Sequence, residues 1–112
     1  MTQFTLALLT LLALAGCTKT GANKEAALRD FNRLCQAQKD YLEARKLKGV
    51  DISALAVERA KRMGEGLETG AAFKAVELMT VAAQSEQRAV VEQSAKEAGL
   101  ESWSCPEFGQ GQ

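Results

Sequence analysis

The sequence predicts an all-α fold: a compact bundle of about four short helices with a disulfide-tethered C-terminal segment. Three observations carry this. Apolar residues recur at three- and four-residue spacing, and no stretch alternates at period two. Residues suited to starting or stopping helices fall between the apolar runs, at Asn23, Gly49, Asp51, Thr69, Ser85 and Gly99. Cys35 and Cys105 stand near opposite ends of the helical region. At 112 residues the chain can build one small core but not two.

Asn23 is the expected N-cap of the first helix, with Glu25 in its first turn. Leu28, Phe31, Leu34, Cys35, Tyr41 and Leu42 follow at helical spacing, and Gln38 is the one polar residue among them. Basic residues and then Gly49 close this helix. Asp51 or Ser53 caps a second helix carrying Ile52, Leu55, Ala56, Met63 and Leu67. Gly64 and Gly66 fall inside that pattern. Each costs about 1 kcal/mol relative to Ala, which predicts a break or bend there.

Thr69-Gly70 opens a third helix, where Phe73, Val76, Met79 and Ala83 form one stripe with Leu78 and Val81 beside it. Ser85 is the expected cap of a fourth, with Glu86 in its first turn and Val90, Val91, Ala95 and Ala98 on its apolar side. Gly99 with Leu100 reads as a Schellman stop. Pro106 disfavours helix at Cys105, so Glu101 to Phe108 is expected to be non-helical. The helical domain is thus residues 23–108, and 109–112 a frayed tail.

Ahead of this domain, Phe4 to Ala15 is apolar or small except for Thr5 and Thr10. That length suits a secretory h-region and falls short of the roughly 20 apolar residues that span a bilayer. It ends in Leu14-Ala15-Gly16-Cys17. This run resembles the lipobox of bacterial lipoprotein precursors, although the n-region Met1-Thr2-Gln3 lacks the usual basic residue. The resemblance implies that residues 1–16 are a cleaved signal peptide. It implies that Cys17 is acylated and that 17–22 serve as anchor and tether. Two or more acyl chains hold a protein stably to a membrane. Thr18 stands where Asp often retains such proteins in the inner membrane, so the resemblance points to the periplasmic face of the outer membrane.

With Cys17 assigned to lipid, Cys35 and Cys105 remain, and an exported context favours their oxidation to a disulfide. They are 70 positions apart, and closing such a loop is worth about 4.4 kcal/mol in the chain-entropy model. The chain has no histidine and no CxxC pair, so neither a metal nor a cofactor is expected. Fourteen basic residues balance fourteen acidic ones, which offers no strong field for nucleic acid. The first helix is basic on balance and the remainder acidic. Lipid headgroups near the tether would favour such a face, although pairing within the domain accounts for it more simply.

Nothing in the residues names a reaction, and no enzyme is expected. The carboxylates sit at i,i+4 from basic residues, as Glu25 does from Arg29 and Glu92 from Lys96, the pattern of helix-surface pairs. Ser94 and Lys96 are two apart and share no helix face, which argues against a Ser-Lys dyad. Gly64-Glu65-Gly66 lacks the third glycine and preceding strand of a phosphate-binding loop. Trp103 and Phe108 flank Cys105 and have two readings. They seal the bundle beside the disulfide, which their large area favours, or they present an aromatic binding surface.

The body resembles small uncharacterised helical bacterial proteins in three segments: Arg33-Leu34-Cys35, Glu58-Arg59-Ala60, and Ala95 to Leu100 ahead of Cys105-Pro106. That resemblance implies no activity. In architecture the chain is similar to the type II secretion pilotins, small helical disulfide-bearing lipoproteins that grip a helix of an outer-membrane secretin. The expected function is therefore a protein-binding or adaptor module of the envelope, tied to membrane lipid through Cys17 and to an envelope protein partner. The alternatives are an immunity or inhibitor lipoprotein and a structural envelope component.

Overall fold

Four α-helices form because the chain offers four amphipathic stretches separated by effective stops. In the computed structural model they are α1 (Thr2–Arg45), α2 (Ile52–Gly64), α3 (Gly70–Val81) and α4 (Gln87–Glu97), with 3-10 turns at Gln84–Glu86 and Pro106–Gly109. The backbone is described for residues 2–109 and side chains for 23–109. The expected signal peptide 1–16, the acylated Cys17 and the tether to residue 22 lie outside the described side chains. The tail at 110–112 lies outside the described residues. Among the described residues there is no strand, and no helix is long and apolar enough to cross a membrane.

Asn23 lies within α1 and does not cap it. A residue inside a continuing helix finds its carbonyl partners in the preceding turn and needs no side-chain cap. The buried stripe of α1 is Ala27, Asp30, Phe31, Leu34, Ala37, Gln38 and Tyr41, an unbroken three-four spacing. Leu28, expected in the core, is exposed. Alanine and two polar residues occupy positions that a search for bulky apolar residues passes over.

α2 runs back along α1. Its Arg59 meets Gln38, Arg62 meets Asp40, and beyond its end Gly66 meets Arg33 and Glu68 meets Arg29. Asp51 is its N-cap, accepting from the Ser53 and Ala54 amides at 3.0 and 3.2 Å. Ile52 is exposed, and Leu67 falls beyond the helix, which stops at Gly64. The expected break is thus a full stop. Gly66 has φ +69°, the left-handed region that favours glycine, and a Cβ there would displace the Arg33 guanidinium, 2.6 Å away at Nη2.

Asp30 determines where α3 begins. Its carboxylate is wholly buried and accepts from the Glu68 amide at 3.0 and 2.9 Å, the Thr69 amide at 2.8 Å and the Thr69 hydroxyl at 2.7 Å. Thr69 in turn caps α3 through the Ala72 amide. α3 therefore leaves α1 at a fixed point and turns Ala72, Ala75 and Met79 inward. The expected stripe is corrected here: Val76 and Met79 face the core, but Phe73 is 49% exposed, and Ala83 is exposed beyond the helix end. Leu78 and Val81 are exposed too, Val81 at 83%. Small alanines let α3 approach its neighbours closely, which the bulkier face could not do.

Ser85 does not cap α4. It lies in the 3-10 turn Gln84–Glu86, where the Glu86 amide bonds the Ala83 carbonyl at 2.9 Å, and that tight turn feeds the helix without a side-chain cap. α4 buries Val91, Ser94 and Ala95. It ends as expected, with Gly99 at φ +94° donating to the Lys96 carbonyl and Leu100 donating to that of Ala95. The following segment is irregular to Cys105. Pro106 then opens a short 3-10 turn within the span expected to be non-helical, since proline is well suited to a first helical position.

Two expected ion pairs are replaced. Arg29 forms a two-pronged pair with Glu68 across the α1–α2 seam, and Glu92 pairs with Arg88. The planar guanidinium fork matches the cross-chain carboxylate better than it matches Glu25 one turn away. Hydrogen bonding from Arg29 holds Glu68 below its ordinary carboxylate value, and bonds from Arg62 and then Gln36 do the same for Asp40.

Two expectations follow. Asp30→Ala strands the donors of Glu68 and Thr69 and should cost about 3 kcal/mol in urea unfolding, with faster deuterium exchange at the Thr69 amide. A loss under about 1 kcal/mol would contradict the clamp. Because Glu68 and Asp40 have folded values below their unfolded ones, their contribution is complete above the ordinary carboxylate range and is lost as pH falls through the depressed values. Melting temperature should hold from pH 7 to about 5 and drop below about 4, less steeply in an Arg29→Gln, Arg62→Gln variant.

Candidate functional site

The C-terminal segment is tied across the bundle by the Cys35–Cys105 disulfide, with Cα atoms 5.9 Å apart. Its backbone is held as well. The Cys105 amide donates to Glu92 at 3.0 Å, and Gln38 Nε2 donates to the Glu107 carbonyl at 3.2 Å. The Glu107 carboxylate lies 3.3 and 3.6 Å from the sulfurs of Cys105 and Cys35. These three side chains could group around a metal, but joined sulfurs offer no thiolate for one.

Phe108 is 1% exposed and belongs to the core, so its ring offers little area to the outer surface. Its 3-10 turn, pinned at Gln38 and Cys105, drives the ring between α1 and α4. Trp103 is half-buried. Its ring meets Phe31 edge-on at 5.4 Å, and its Nε1 donates to Asn32 Oδ1 at 2.9 Å. The remaining edge lines a cleft of about 540 Å³ with Lys24, Leu28, Leu100 and Glu101.

A second cleft, of about 260 Å³, lies between α2 and α3 and is closed below by Phe108. Met63, Val76 and Met79 line it, with Thr80 and Gln87 at its edge. Each of these two polar side chains donates a hydrogen bond to a backbone carbonyl, Thr80 to Val76 and Gln87 to Met79. Arg59 stands at one end of this cleft. Its guanidinium lies 4.7 Å over the Tyr41 ring and donates to Gln38 Oε1 at 2.7 Å, while its buried Nε meets no acceptor. Burial pushes its pKa below the usual guanidinium value, yet the group keeps its charge. Among the described residues no carboxylate pairs with it.

The sequence reading missed Arg59 as a site residue. Two signals were present. Arg59 lies four residues after Leu55 and four before Met63, on the inward stripe of α2, and Gln38 interrupts the facing stripe of α1.

The third feature is the outer side of α3, where Phe73, Leu78 and Val81 are exposed large apolar side chains on one short helix. Exposed Lys74 and Glu77 lie among them, so the three are interspersed with charge on the outer side of the helix.

Replacing both Cys35 and Cys105 by Ser should lower stability by about 4 kcal/mol in chemical denaturation, and an unchanged midpoint would contradict the staple's role. No protein-family model, curated protein or solved structure matches this chain.

Proposed function

We propose that the protein is a lipid-anchored lipoprotein of the bacterial envelope that binds another protein, as pilotins do, and performs no catalysis. The carrying observation is that Phe73, Leu78 and Val81 are large apolar side chains left exposed on α3, interspersed with Lys74 and Glu77, on a bundle whose core is already filled by Ala72, Ala75 and Met79 from the same helix. Core packing does not account for these three side chains, whereas contact with a partner would. The run Leu14-Ala15-Gly16-Cys17 supports a tether, which would hold that face close to one membrane and raise the local concentration of partners there. A rigid disulfide-stapled bundle suits such work because it presents its surface with little ordering cost.

The test is in-cell photo-crosslinking of the full-length protein, with the reactive group placed at Phe73 or Val81 and, as control, at Lys61 on α2. One dominant envelope protein should be captured from the first two positions and not from the third. Capture should fall about tenfold or more with Phe73→Ser in the Val81 probe, and should be lost with Cys17→Ser. The same abundant envelope proteins captured from all three positions would reject the adaptor reading.

A further inference from the structure

We propose that Arg59 and the methionine-lined cleft beside it bind an aliphatic carboxylate, with the guanidinium taking the acid and the cleft taking the chain. Arg59 is charged, half withdrawn from water and without a carboxylate among the described residues. Tyr41 and Gln38 hold it in place. Neither neutralises it, and its buried Nε has no acceptor. Withdrawing half of a guanidinium from water without a counter-charge carries a cost, which an anion reaching the guanidinium fork relieves.

The rest of the cleft selects what carries that anion. Met63, Val76, Met79 and Phe108 offer apolar surface, and the edge hydroxyl and amide each donate to a backbone carbonyl. A sugar or a polyanion would meet one cation and little else. A hydrocarbon chain gains from every contact, and the two methionines adapt to its shape. The volume of about 260 Å³ lies just under the roughly 300–1,000 Å³ of drug-sized sites, so the chain is short. Val76 and Thr80 place this site one turn or two from Phe73 on α3, but the comparison of acid with alcohol does not depend on the adaptor reading.

The experiment uses isolated membranes holding the full-length protein and two photoreactive probes of equal length. One is an eight-carbon diazirine carboxylate, about the size of the cleft, and the other is the matching alcohol. Labelled residues are mapped by mass spectrometry. The carboxylate probe should mark Met63, Val76 or Met79, and excess octanoate should suppress that labelling. The alcohol should mark them about tenfold less, the effect of losing one charge-assisted contact. Arg59→Gln should lower carboxylate labelling by a similar factor, and Arg59→Lys by less. Equal labelling by acid and alcohol in the unaltered protein would overturn the proposal whether or not the variants fold. So would adducts outside the cleft only, or suppression by an acidic peptide and not by octanoate.

Discussion

A single buried carboxylate organises this bundle. Asp30 lies in the middle of the inward stripe of α1 and receives two backbone amides and a hydroxyl from Glu68 and Thr69. Burying a carboxylate is costly unless donors satisfy it, and here the donors are the orphan groups where the chain leaves α2 and enters α3. One interaction thus solves two problems at once. It anchors the α2–α3 connection to α1, and it sets the starting point and rotation of α3. Everything α3 presents, inward or outward, follows from that choice.

The second constraint closes the structure from its other end. The segment after α4 has little regular structure of its own, and it is held by contacts to α1 and α4. The disulfide joins it to Cys35, Glu92 accepts from the Cys105 amide, and Gln38 donates to the Glu107 carbonyl. With those points tied, Phe108 enters the core and Trp103 packs its edge on Phe31. A domain this short buries limited apolar surface, so covalent and hydrogen-bonded ties matter in proportion.

These two sets of ties leave distinct surfaces for function. The inward side of α3 holds Ala72, Ala75 and Met79, which leaves Phe73, Leu78 and Val81 outside. The junction of α1 and α2 holds a guanidinium that Tyr41 and Gln38 orient without neutralising. The proposed protein contact rests on the first and the proposed carboxylate site on the second. Both lie on secondary structure held rigidly by the core.

Local sequence determined much of this molecule. The all-α class, the caps at Asp51 and Thr69, the stop at Gly64–Gly66, the Schellman end at Gly99 and the Cys35–Cys105 pairing all rest on chemistry within a few residues or on cysteine count. What the sequence hid were the choices made between elements. α3 is apolar on two faces, and periodicity weighted toward bulk picked out Phe73 as well as Met79. Only the fit against α1 and α4 showed that Ala72 and Ala75 pack inward. Neither Asp30 nor Arg59 stands out in the sequence, because their burial depends on donors and rings supplied from far along the chain. Tertiary structure decided those points because the energy of a buried polar group lies in its partners, and those partners are brought together only when the helices pack.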